Sequence, residues 1–310
     1  MKKFFKIFVY NLLLFTFFLF LLEFFVFFIQ FYKDEMFFHR QYSDYLTDFK
    51  QQFINKYSIP NYDNLYFSID EFRKPAIQHS VNDDKNKSVL LLGCSFTYGE
   101  NLEDNETFSY ILSQYTGRNV YNLGLIGGSL REMLYILKND SILYTLVPKD
   151  EKFDYVIYTY IYDHVQRLFF NIRTHSPVFK ENNHSLEYVD YNYIFQSSSL
   201  INYVREFLIY NNHYFMSEMS KLQYLYIIDL NREIKKKFNS SRLIIINYWD
   251  NNDLQIDWDR LRKEGIIVID IEKYFDDLHS EEYSFPDTHP KPQAWEKIVP
   301  VIAPLLESQD

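Results

Sequence analysis

The chain is short of three things, and each shortage narrows what it can be. It has one cysteine, Cys94, in 310 residues. No intramolecular disulfide can brace it, and cysteine usage says nothing of its redox compartment. Positive charge is in deficit: 32 Lys and Arg against 42 Asp and Glu give a formal net charge of -10. A nucleic-acid partner needs a basic footprint that releases phosphate counterions, so that class is excluded. Glycine is scarce at 7, so the two that end apolar runs, Gly93 and Gly124, stand out. Internal repeats are also lacking.

Apolar and aromatic residues are plentiful instead. Hydrophobic residues make up 47% and aromatics 20%, with 30 Phe and 28 Tyr, enough for a sizeable core in one large or two small domains. Many of these aromatics fall in the first forty residues. From Ile7 to Leu22 there is no charge, and the apolar run continues to Ile29, interrupted only by Asn11, Thr16, Glu23 and Gln30. About 20 apolar residues cross a bilayer core, and Lys2, Lys3 and Lys6 before the run orient such a helix with its N-terminus in the cytoplasm. No Ala-x-Ala-like cleavage site follows, which favours an uncleaved anchor over a signal peptide. The expectation is a transmembrane helix over residues 1–33, touching the membrane through 4–31. The protein would then be single-pass in the inner (cytoplasmic) membrane, its catalytic domain periplasmic or extracellular. Glu23 is costly in lipid. It sits near the outer interface or pairs with another helix, and the second case would make the anchor a contact for an envelope-complex partner.

Residues 34–87 read as a polar and aromatic arm, and residues 88–310 as an α/β domain. Five short apolar runs have the look of buried parallel strands: Ser88–Leu92, Asn119–Leu123, Tyr155–Tyr162, Leu243–Tyr248 and Ile266–Ile271. Helical patterns fall between and after them, at Thr107–Tyr115, Ser129–Lys138, Phe215–Lys237 and Gln293–Leu306. Ser129 with Glu132 forms a capping-box pattern. This alternation predicts a parallel sheet of about five strands covered on both faces. The stretch 167–212, rich in Tyr and Asn, is long for a connection and reads as a partly helical insertion that shapes a substrate pocket.

Ligands of open α/β sheets bind beyond the carboxyl ends of the strands, and four polar clusters fall there. They are Gly93-Cys94-Ser95, Asn122-Leu123-Gly124, Tyr160-Ile161-Tyr162-Asp163-His164, and Asp287-Thr288-His289-Pro290 before the last helix. A serine hydroxyl needs a base to act as a nucleophile. His289 is the candidate, with Asp287 to orient its ring and stabilise its charged form. The amides of Ser95 and Gly124 are candidate donors to an oxyanion. Cys94 is the alternative nucleophile, since a thiolate is intrinsically stronger. Asp163, His164, Asp287 and His289 are metal-ligating types, but their spacing matches no metal motif, and no cofactor is expected.

In order and spacing these clusters resemble the SGNH (GDSL-type) hydrolases. The resemblance covers roughly residues 70–310 and rests on Gly93-Cys94-Ser95-Phe96-Thr97-Tyr98-Gly99, Asn122-Leu123-Gly124 and Asp287-Thr288-His289-Pro290. Glu71-Phe72-Arg73 is similar to an element that precedes the first strand in membrane-tethered members. The resemblance implies a three-layer flavodoxin-like fold, with Ser95 as nucleophile, His289 as base, Asp287 as orienting acid, and metal-free ester hydrolysis or acyl transfer. Three positions depart from the family pattern. Cys94 replaces an Asp, and Asp287 lies two residues before the histidine instead of three. Tyr162 stands where an oxyanion-hole Asn belongs. Arg167 and His164 are alternative donors there, and Asp163, His164 and Arg167 are candidate substrate contacts.

The expected function is a serine esterase or O-acyltransferase acting on acylated, especially O-acetylated, envelope or secreted carbohydrate. Tyrosine rings suit such a partner because they offer apolar surface and a hydroxyl together. A lipase or lysophospholipase, and a catalytically weak glycan-binding or scaffolding module, are the alternatives.

Overall fold

The computed structural model describes residues 11, 14–19, 21–22, 71–77, 88–168, 177–182, 185–189, 213–239, 241–249 and 256–307. The chain divides into two compact units, and the one that carries the site is Tyr66–Tyr191 with His213–Asp310. Its centre is a five-stranded sheet of β1 (Ser88–Gly93), β2 (Asn119–Gly124), β3 (Phe153–Ile161), β6 (Arg242–Trp249) and β7 (Ile267–Asp270). The order is β2-β1-β3-β6-β7, and every pairing is parallel.

Parallel strands covered on both faces read as unbroken apolar runs, and β1 is buried along its whole length. Alternate side chains serve two layers. Val89, Leu91, Ile157, Ile244 and Ile246 share one core with Phe108 and Leu112 of helix α2 (Phe108–Thr116) and with Trp295, Ile298 and Ile302 of the C-terminal helix α8 (Pro292–Glu307). Phe108 and Trp295 stack at 4.5 Å between ring centroids. Helix α3 (Leu130–Lys138) opens with the expected capping box, Ser129 and Glu132 each bonding the other's backbone. It packs beside the long helix α6 (His213–Phe238).

One expectation is corrected. A spanning helix needs about 20 apolar residues, and among the described residues no helix is long and apolar enough to cross a membrane. The transmembrane helix and the single-pass inner-membrane location inferred from it are withdrawn, and with them the anchor as a partner contact. The rest of segment 1–33 lies outside the described residues, as does most of the arm 34–87. Within the stretch 167–212, the described residues of 177–189 form a hairpin, β4 (Val178–Asn182) against β5 (Ser185–Val189). Val178-Phe179 and Tyr188-Val189 are β-formers.

Candidate active site

The carboxyl ends of β1 and β2 lie side by side, with Gly93 paired to Gly124. Beyond Gly93 the chain turns into a single helical turn, α1 (Ser95–Tyr98). Two glycines permit this. A Cβ on Gly124 would lie 2.3 Å from the Tyr98 nitrogen, so only glycine lets β2 pass against the backbone of α1. Gly99 stops the turn in the left-handed region at φ 83, a conformation open to glycine at no steric cost. Its N–H and that of Glu100 both return to the Ser95 carbonyl, at 2.9 and 3.1 Å.

Ser95 faces His289 across the chain: Oγ and Nε2 are 2.8 Å apart. His289 is carried by a tight loop. Phe285 N–H donates to the His289 carbonyl, Thr288 N–H donates to the Phe285 carbonyl, and Ser284 bridges Pro290. Thr288 takes φ 72 in that loop, an uncommon state for a β-branched residue. The left-handed step sets the side chains of Asp287 and His289 together despite their short spacing. Asp287 Oδ2 is 3.2 Å from Nδ1, an electrostatic contact that falls short of a well-directed hydrogen bond. Asp287 also accepts from the His289 amide at 3.2 Å and from Asn101 Nδ2 at 3.0 Å.

A second carboxylate lies against the imidazole, at a position the sequence does not single out. Glu100 Oε2 lies 3.2 Å from His289 Nε2, the same nitrogen that faces Ser95. Burial is the largest single influence on the imidazole and works against its charge. The hydrogen bond and charge of Glu100, then the charge of Asp287, outweigh it and raise its pKa above the ordinary value.

Arg73 is the second residue whose part in the site was not foreseen. Its guanidinium donates to the carbonyls of Tyr98 at 3.3 Å, Gly99 at 2.9 Å and Leu102 at 2.6 Å, pairs with Asp104 at 2.7 Å and lies over the Tyr98 ring. It closes the carbonyl end of α1, which a helix cannot satisfy from within. Asn122 supports the same turn from beneath, its Nδ2 donating to the Thr97 carbonyl at 2.8 Å.

The remaining expected residues are placed as follows. Ser95 N–H lies in the first turn of α1, where no intrahelical acceptor exists. Gly124 N–H donates to Asn122 Oδ1 at 2.9 Å, so an oxyanion would share this donor with the Asn122 side chain. Tyr162 ties β3 to β6 through its N–H to the Trp249 carbonyl and a T-shaped contact of the two rings. His164 is fully buried, with Nδ1 2.5 Å from the Tyr158 hydroxyl. Burial, helped by the Arg167 charge, pushes its pKa well down, so it is neutral. Arg167 reaches the Gly128 carbonyl at 3.0 Å and Asp163 at 3.6 Å. None of the contacts described for Asp163, His164 and Arg167 is to Ser95, Asp287 or His289. Cys94 is buried in the core, which leaves its thiol poorly placed as a nucleophile. Among the described residues no three His, Cys, Asp or Glu side chains converge on a metal position.

No family model and no curated relative matches the sequence. Solved structures similar in shape include a G-D-S-L family protein, an SGNH hydrolase, a lipase and esterases. A lipase from a goat rumen metagenome is 15% identical with a TM-score of 0.45, the match covering 69% of this chain and 95% of that one. A lipolytic protein of the G-D-S-L family from Desulfitobacterium hafniense is 12% identical with a TM-score of 0.43, over 71% and 99%. A two-domain esterase active on acetylated mannans is 12% identical with a TM-score of 0.42, over 73% and 51%.

Proposed function

We propose that the protein is a serine ester hydrolase acting on acylated carbohydrate, O-acetyl esters above all. The observation that carries the reading is the 2.8 Å contact between Ser95 Oγ and His289 Nε2, which joins residues far apart in the chain at the carboxyl end of a parallel sheet. Ser95 Oγ attacks the ester carbonyl carbon as its proton passes to Nε2. The oxyanion forms against the first-turn amide of Ser95. Collapse breaks the ester C–O bond, and the Nε2 proton leaves with the sugar hydroxyl. Water repeats the sequence on the acyl-serine, and a sugar hydroxyl in its place makes the reaction a transfer. Asp287 orients the ring and offsets its charge. The carbohydrate part of the reading is supported by the Tyr- and Asn-rich stretch 167–212 and by the family resemblance.

One observation favours a second reading, a glycan-binding module of low catalytic power. The Gly124 N–H already donates to Asn122, so an oxyanion would share that donor. A fluorophosphonate probe together with p-nitrophenyl acetate separates the two. Labelling of the wild type, absent in Ser95→Ala and accompanied by a loss of about 10³-fold or more in kcat, is the expected outcome. A wild type that neither labels nor turns over supports the binding module. Activity that survives in Ser95→Ala overturns the nucleophile.

A further inference from the structure

We propose that Glu100 is a second carboxylate partner of the catalytic base: it shares His289 Nε2 with Ser95 and holds the imidazole proton there, so that it sets when Ser95 is activated. The proposal rests on the reading of Ser95 and His289 as an acyl-transfer pair.

A ring nitrogen has one in-plane site, filled by either a lone pair or an N–H. Two oxygens converge on that site at His289 Nε2, Ser95 Oγ at 2.8 Å and Glu100 Oε2 at 3.2 Å. In the tautomer that activates Ser95, the proton is on Nδ1 toward Asp287 and the Nε2 lone pair accepts from the hydroxyl. An ionised Glu100 oxygen then meets that lone pair with no proton between them. A proton on Nε2 removes the conflict, because the N–H points between the hydroxyl and the carboxylate while Asp287 stands at Nδ1. The imidazolium is thereby flanked by a carboxylate at each nitrogen. The side chains of Glu100 and His289 are only 14% and 18% exposed, so solvent screens this contact less than a surface pair.

Glu100 is not a wandering surface charge. Its amide is bonded to the Ser95 carbonyl, so nucleophile and carboxylate ride on one turn. The groups that face the imidazole are Ser95, Glu100 and the ring of Phe96, 5.1 Å away between centroids, from that turn, and Asp287 from its own loop. During attack the Ser95 proton moves to Nε2 as the new C–O bond forms, and the resulting N–H lies beside Glu100 until the leaving oxygen takes the proton. Glu100 therefore strengthens the base once it is free and delays the pH at which it becomes free.

Glu100→Gln keeps the shape and removes the charge. In the full chain, the His289 ring resonances followed by NMR and kcat/KM on p-nitrophenyl acetate are measured against pH. Both midpoints are expected to move to lower pH in Glu100→Gln. The two activity profiles should cross, the variant exceeding the wild type on the acid limb and falling below it on the alkaline plateau. Glu100→Asp should restore the wild-type direction. An unmoved His289 midpoint, or a profile scaled down uniformly at every pH, overturns the proposal and leaves Glu100 a structural residue. A wild type inactive on esters at every pH counts against the hydrolase reading alone, because the NMR midpoints still decide whether Glu100 holds the proton.

Discussion

The two halves of the site are held by different physics. The turn that carries Ser95 is gripped through its backbone: Arg73 takes the Tyr98 carbonyl and those of Gly99 and Leu102 just after it, Asn122 takes that of Thr97, and Gly124 presses against the Tyr98 amide. Ser95 itself is 5% exposed. The loop that carries His289 is held by short-range turns, with Thr288 in the left-handed region and Asp287 at 53% side-chain exposure. The imidazole meets two carboxylates, Glu100 and Asp287, each at 3.2 Å. Ser95 is thus held through the backbone of its turn, while charged partners flank His289. Changes to the scaffold should strike the first hardest, and changes of charge or pH the second.

Outside the Ser95 and His289 pair, Arg73→Ala gives the largest expected effect. It frees the end of α1, shifts Ser95 and should lower kcat by about 10²-fold, with a loss of about 2 kcal/mol in urea unfolding. Arg73→Lys should rescue little, since one ammonium cannot reproduce the guanidinium fork. Full activity in Arg73→Ala would break the contrast by showing that the turn holds itself. Asp287→Ala should cost less, about tenfold in kcat, because a half-exposed and imperfectly aligned carboxylate is screened by water. A loss equal to that of Ser95→Ala would make the base side as geometric as the nucleophile side. The smallest effect is expected from Thr288→Gly, which relieves the left-handed strain at an exposed position. It should raise stability by about 0.5 kcal/mol and leave kcat nearly unchanged. A large fall in kcat there would mean that the loop, and not its charges, aims the imidazole.

The contrast also accounts for what could be read in advance. Strands β1, β2, β3, β6 and β7 announce themselves as apolar runs because both faces of the sheet are buried, and Ser95, Asp287 and His289 sit at their exits, where polar residues are conspicuous. Glu100 was not legible. A single acid after a glycine looks like any loop charge, and only the left-handed turn at Gly99 brings it back to the imidazole. Arg73 was quoted only within a resemblance, because its partners are carbonyls, which leave no mark in a sequence. The Asn122 side chain's hold on the Gly124 amide was missed for the same reason. The N-terminal run differs: its apolar composition suggests a spanning helix, and among the described residues no helix is long and apolar enough to cross a membrane.

The short segment around Arg73 has one more consequence. Strand β2 is an outer strand of the sheet, and its free side would offer unpaired amides and carbonyls to any passing extended chain. Ala76 meets Val120 there, each N–H donating to the other's carbonyl at 2.9 and 3.0 Å. At the opposite side β7 is only 4 residues long, too brief to template much pairing. The same few residues that staple the nucleophile turn therefore blunt an edge that would otherwise invite aggregation. Loss of the Ala76 bridge would be felt first in colloidal behaviour at high concentration, before any change in catalysis.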